Sequence, residues 1–163
     1  MKYFTALLFI LHPVFGYTQD VILGGMTMSY QIVDNNIEIV LQAPTTGWLG
    51  IGFNRKNSIV KSDLYLLRVK HKEAEGLDMY VMSTGNPKED HEIGGSFNLS
   101  AIEGKEVNGS TTLRFKLPVG SKDRYDYSHE LGADFWLILA YSQSDDWDHH
   151  SMMRKHIKFS FVK

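Results

Sequence analysis

A chain of 163 residues, 43% hydrophobic and 22% charged, has the length and apolar content of one packed globular domain. Its formal net charge of -2 offers no strongly basic surface of the kind a phosphate backbone selects, which argues against nucleic acid as a partner. Cysteine is absent, which removes thiolate zinc sites, iron–sulfur clusters, c-type haem attachment and cysteine nucleophiles together.

The chain opens on Met1, Lys2 and Tyr3, followed by an apolar run over 4–11 and then His12, Pro13, Val14, Phe15 and Gly16. A short basic start, a brief apolar stretch and small residues read as a secretory signal peptide over residues 1–18, leaving one domain over 19–163. The run is shorter than the roughly 20 apolar residues that span a bilayer. The mature chain is therefore expected to be a secreted or periplasmic monomer without a membrane span. At this size core burial stabilises a secreted domain without disulfides.

The remainder reads as short strands. Residues 26–33 are apolar and β-branched, and Asp34, Asn35 and Asn36 signal a turn. Ile37, Ile39 and Leu41 alternate with Glu38, Val40 and Gln42, which is strand periodicity with one polar-leaning face. After a turn at 44–47, residues 48–53 (WLGIGF) carry two glycines that predict a bulge or a close approach to the backbone. Strands are expected at 63–69 and 77–82, with a polar hairpin over 71–76 and a loop over 85–95. Leu113, Phe115 and Leu117 define another alternating strand, and 119–134 is polar and irregular. Residues 135–141 form an apolar run suited to a central strand, and Ile157, Phe159 and Phe161 share one face of the last. Trp48 and Trp136, in apolar runs, are expected in the core. No segment sustains helical periodicity, so the fold class is all-β: a two-sheet antiparallel β-sandwich, immunoglobulin-like in architecture.

Three stretches together resemble the DOMON family. The first is Ala43-Pro44-Thr45-Thr46-Gly47-Trp48-Leu49-Gly50-Ile51-Gly52-Phe53 with Asp63 ten residues later; the second is 109–126, with Lys116 where arginine is usual; the third is Trp136-Leu137-Ile138-Leu139-Ala140-Tyr141-Ser142 followed by Asp146-Trp147-Asp148-His149-His150-Ser151. The likeness covers the expected mature chain in the family's order and is greatest to small free-standing domains secreted by bacteria. It implies a sandwich that binds haem b in extracellular redox cytochromes or, by proposal, sugars. In haem-bearing members a histidine of the third motif is one axial ligand, and a methionine shortly before the aspartate is the other. Here the position four before Asp63 is Ile59, which cannot ligate iron. A substitute from Met79, Met82, Met152 or Met153, a bis-histidine iron or a five-coordinate iron are the alternatives.

The expected role is thus a ligand-binding module, with haem b as cofactor in electron transfer or haem carriage and an extracytoplasmic redox protein as partner. The alternative is a module for carbohydrate or a partner surface, without redox chemistry. Candidate cofactor residues are His149, His150, Met153, Trp147, Arg154 and Asp63, with His149 and His150 as metal ligands. Being adjacent, the two histidines point opposite ways on an extended backbone. His149 or His150 with Met152 or Met153 also suits copper. Asp145, Asp146 and Asp148 suit either calcium or a solvated loop. Trp147, in a polar loop, suits stacking on a sugar or a porphyrin edge, or folding back onto the sandwich. Asp63 suits hydrogen bonds from backbone N–H groups, and Arg154 a bidentate pair with Asp63 or a haem propionate. Asn98 and Asn108 begin glycosylation patterns. No nucleophile elbow, H-E-x-x-H motif or phosphate-binding loop is present, so the chain reads as a module rather than an enzyme. Residues 142–156 and 54–63 are expected to meet at one mouth, with Ile59, Trp147 and Met153 lining a pocket between them.

Overall fold

The computed structural model describes residues 19–162, so the expected signal peptide lies outside the described residues. The strands are β1 (Gln19–Leu23), β2 (Met26–Val33), β3 (Asn36–Ala43), β4 (Leu49–Asn54), β5 (Asp63–Lys70), β6 (Glu73–Ser83), β7 (Asn86–Glu89), β8 (Ser100–Val107), β9 (Ser110–Pro118), β10 (Phe135–Tyr141) and β11 (Met153–Phe159). A single 3₁₀ turn, Asp90–Ile93, follows β7. No helix among the described residues is long and apolar enough to cross a membrane.

Two antiparallel sheets result. The first runs β1-β2-β3-β9-β8 and the second β11-β10-β4-β5-β6-β7, as the all-β sandwich reading expects. Alternation fixes which residues meet. Met28 and Tyr30 of β2, Ile37, Ile39 and Leu41 of β3, and Leu113 and Phe115 of β9 face Leu49, Ile51 and Phe53 of β4, Tyr65 and Leu67 of β5, and Leu137 and Leu139 of β10, all in one buried cluster. A one-residue slip in any of these strands would turn its apolar set to water, so register is strongly specified. At one end Phe53 packs against Tyr65, His129, Phe135 and Phe161 with ring centroids 4.6–6.2 Å apart. On the outer face of the first sheet, Glu38 is buried but accepts from Gln31, Arg114 and Lys116. These hold its carboxyl down at about 2, Lys116 contributing most.

Several boundaries differ from the sequence reading. β11 begins at Met153, so the loop after β10 is shorter than the expected 142–156. β6 starts at Glu73, because the turn closes on His71 and Lys72 alone, both at positive φ. Trp136 is not a core residue: alternation in β10 places it with Ile138 and Ala140 on the outer face of the second sheet, half-buried. Trp48 is buried, but in a separate small cluster on that same outer face, with Leu66 and Ala140.

A candidate ligand cavity on the outer face of the second sheet

The Thr-Gly-Trp stretch explains how the loop after β10 is held. Thr45 Oγ1 donates to the Ser142 carbonyl at 2.5 Å and accepts from Gly47 N. Backbone bonds from Ser142 N to Trp48 O and from Trp48 N to Ser144 O complete the clamp. A Cβ at Gly47 would stand 2.5 Å from both Ser142 O and Ser144 N, so only glycine permits this approach.

The loop between β4 and β5 is pinned from within. Asn54 Nδ2 donates to the carbonyls of Ser58 and Val60, and Ser62 Oγ donates to Ile59 O. Asn57 Oδ1 lies 2.9 Å from Nδ1 of His156, on β11, which ties this loop to the strand that follows the other one.

The two loops do not share one mouth as expected: β4 and β10 run antiparallel, with Asn54 opposite Trp136 and Leu49 opposite Tyr141, so the loops leave opposite ends of the sheet. A cavity of about 310 Å³ lies between them across its outer face, at the small end of the range for ligand sites. Its floor is the outer face of β4, β5 and β10: Gly50, Leu64, Leu66, Ile138 and Ala140. Trp48 and Trp147 stand on one part of the wall, and Ile59, Val81 and Pro87 on another. Asp148, His149, His150, Ser151 and Arg154 supply the polar lining. The glycines of β4 act by close approach. A Cβ on Gly50 would meet Leu66 Cδ2 at 3.0 Å and Trp48 Cζ3 at 3.4 Å, and one on Gly52 would meet Ile138 and Leu64 at 3.4 Å. They leave β4 low between its neighbours.

His149 is held firmly although its surface is exposed. Its Nδ1 lies 3.0 Å from Ser142 Oγ and 3.0 Å from the His150 carbonyl. A carbonyl only accepts, so that contact places the proton on Nδ1 and leaves the Nε2 lone pair available. His150 lines the same cavity, contrary to the expected opposition of neighbours: a turn closed by His149 N and Asp146 O replaces the extended backbone on which alternation rests. Trp147 folds back rather than standing free. The Arg68 guanidinium lies 3.9 Å over its ring and also bonds Glu75 and the Asp145 carbonyl, which fixes the loop to β5.

The structure thus brings His149, His150, Trp147, Arg154 and Ile59 onto one cavity and leaves Met153 and Asp63 out of it. Met153 pairs with Tyr141 in β11 and turns inward, where its sulfur fills the space beside Gly24. As a strand residue it takes the face opposite to Arg154. Asp63 faces inward beside Tyr65 and accepts from Tyr127 N at 2.8 Å and Tyr65 OH at 3.1 Å; Arg154, on the outer face, does not pair with it. Asp145, Asp146 and Asp148 do not gather their carboxyls into a ligand set among the described residues. No methionine lines the cavity, though Met79 packs behind Trp48 and Trp147. Met152 is exposed and accepts from the Gln143 side-chain amide.

A second cluster escaped the sequence reading. Asp63, Asp78 and Asp126 converge on one point, and Asp90, Asp123 and Asp126 on another. Burial, followed by repulsion from the neighbouring aspartates, raises the carboxyl of Asp78 to about 7 and that of Asp90 to about 8. The available signal was an aspartate on an inward strand position, at 63 and again at 78.

The DOMON domain family model matches residues 23–142, and the chain belongs to that family. No curated protein matches the sequence. Among solved structures, the cytochrome domain of Myriococcum thermophilum cellobiose dehydrogenase superposes with a TM-score of 0.63 at 10% identity, covering 83% of this chain and 74% of that one. The cytochrome b domain of pyranose dehydrogenase from Coprinopsis cinerea gives 0.60 at 10% identity, covering 83% and 76%. At such identity the likeness establishes the shared sandwich.

Proposed function

We propose that this DOMON domain is a secreted haem b-binding module that transfers electrons or carries haem, and not an enzyme in its own right. The observation that carries the reading is His149: a cavity-lining imidazole with Nδ1 engaged and Nε2 free, beside an apolar floor kept open by Gly50 and Ala140. The residues present fit the group. The floor offers an apolar surface to a flat macrocycle, a Cβ on Gly50 would fill part of it, and Arg154 on the lining suits a propionate. That both superposed neighbours are named as cytochrome domains supports haem as the ligand.

When bound, haem b supplies one-electron exchange at its iron. His149 would hold the group through Nε2. Ser142 and the His150 carbonyl orient its ring, the type of outer contact that fixes tautomer and raises ligand basicity. Ile59 offers no ligand atom, so His149 would hold the iron from the cavity wall, with His150 beside it on the same lining. The physiological partner is then an extracytoplasmic redox protein. Carbohydrate binding through Trp147 is the competing reading; it is disfavoured because Arg68 already covers the Trp147 ring and the floor is apolar.

Hemin titration tests the proposal. Saturable binding with a Soret band that shifts in His149→Ala is expected, with His150→Ala leaving the band in place. Protein that gives no Soret shift with hemin, but binds a glycan array through Trp147, would overturn it.

A further inference from the structure

Behind the haem-type cavity, on the inward side of β5 and β6, several carboxylates are buried together. Asp63, Asp78 and Asp90 are 3%, 2% and 0% exposed, and Asp126 is half-buried. Their hydrogen bonding is one-sided. Asp63 Oδ2 accepts from Tyr127 N and Tyr65 OH. Asp78 Oδ2 accepts from Asn98 N at 2.7 Å, and Asp126 Oδ2 from Ser121 Oγ and the Asn98 side-chain amide. The second oxygen of each, Oδ1, is buried with no donor, and the buried Asp90 carboxyl has the Asp126 carboxyl as its hydrogen-bonding neighbour.

Buried carboxylate oxygens without donors are costly, and several such groups turned toward one another compound the cost by repulsion. No lysine or arginine side chain offsets it at Asp63, Asp78, Asp90 or Asp126. One oxygen from each of Asp63, Asp78 and Asp126 lies within 4.8 Å of the others, and Asp126 also belongs to a separate set with Asp90 and Asp123. Asp63, Asp78 and Asp126 are thus each fixed through Oδ2, while Oδ1 of each is buried without a donor.

We propose that Asp63, Asp78 and Asp126 hold a hard divalent cation, calcium by its preference for an all-oxygen set. Nitrogen and sulfur ligands are missing from the cluster, which disfavours zinc and copper. An open cavity bounded by Lys61, Tyr80, Arg124 and Tyr127, with Asp63 and Asp126 in its wall, provides a route of entry. The cation joins β5 and β6 to the irregular stretch after β9, where Asp126 in turn meets Asp90 of the 3₁₀ turn. It acts as a clasp on that end of the sandwich.

The test uses haem-free protein over residues 19–163, so its outcome is independent of haem binding. Tyr65 and Tyr127 both contact Asp63 and are placed to sensitise terbium. Saturable tyrosine-sensitised Tb³⁺ emission is expected, displaced by Ca²⁺ and weakened at least tenfold in Asp126→Asn. Asp146→Asn, in the exposed loop, should leave it unchanged. Thermal melting of the unaltered chain should shift upward in Ca²⁺ relative to EGTA, which reads the site even where a variant fails to fold. Equal melting temperatures together with no saturable emission would overturn the proposal and leave a carboxyl cluster that shares protons.

Discussion

His129 provides the clearest pH-dependent stability increment in the molecule. Its ring sits edge-on to Phe53 with centroids 4.6 Å apart, and 5.0 Å and 5.3 Å from Phe161 and Phe135. Nδ1 is buried without a partner. Burial alone holds the imidazole at about 3, against an ordinary 6.5. The unfolded chain takes up a proton below 6.5, whereas the folded chain does not until about 3, so stability is lost as pH falls through that window. The slope is about 1.4 kcal/mol per pH unit, which makes the deficit at pH 4.5 about 2.7 kcal/mol and its limit about 5 kcal/mol. The aspartate cluster contributes with opposite sign, since carboxyls raised above their unfolded values gain stability on acidification toward 3.8. Whole-protein curves therefore mix the two effects, and the informative quantity is a difference. His129→Phe keeps the aromatic packing and removes the titration. Urea denaturation at pH 7.5, 6.0 and 4.5 should show the variant gaining on the parent by about 2.7 kcal/mol at the acid end. A stability difference that does not change with pH would refute the assignment.

Gly50→Val should fill the cavity floor and lower hemin affinity at least tenfold, at a stability cost of about 1–3 kcal/mol from crowding against Leu66 and Trp48; titration and melting read the two effects separately. Ile59→Met should shift the Soret band of hemin-loaded protein, because it puts a thioether on the cavity wall. Arg68→Ala should uncover Trp147 and shift tryptophan emission to the red, with about 1–2 kcal/mol of destabilisation from the lost stacking and the lost bond to the Asp145 carbonyl.

Strands with one buried face were legible because alternation reports burial: β3 and β9 read correctly from their leucines, isoleucines and phenylalanine. Of the edge strands, β11 was read from Ile157 and Phe159, whereas β1, β7 and β8 were not. β7 contains Pro87, tolerated because an edge strand can spare a donor. β8 is exposed over most of its length and carries Gly104, where a Cβ would meet Leu113 and Val69 at 2.7 Å. A glycine that reads as a strand breaker is here the residue that lets an edge strand lie close against the core. The loop after β10 was expected to share one mouth with the loop after β4, but antiparallel pairing of β4 with β10 sends the two loops from opposite ends of the sheet. Met153 was mistaken for part of the later loop because one residue separates a loop side chain from an inward strand position. The aspartate cluster was beyond local reading. Its members span positions 63 to 126, and only the pairing of β5 with β6 and the folding of two irregular segments across them bring the carboxyls together.

β5 shows how one strand serves two unlike environments. Its side chains alternate, so Leu64, Leu66 and Arg68 face outward, while Asp63, Tyr65, Leu67 and Val69 face the other sheet. Outward, Leu64 and Leu66 build the cavity floor, and Arg68 reaches past Glu75 to hold Trp147 and the loop that carries His149. Inward, the same eight residues pass from an aspartate in the acidic cluster to three residues of the hydrophobic core. The two-residue repeat thereby allots opposite chemistries to opposite faces without any change of backbone. It also confines perturbation: Leu66→Ala alters the cavity floor and the Trp48 cluster, whereas Asp63→Asn alters the inward carboxylates and their bonds from Tyr65 and Tyr127. Substitutions on the two faces should therefore act nearly additively on stability unless backbone shifts in β5 couple them.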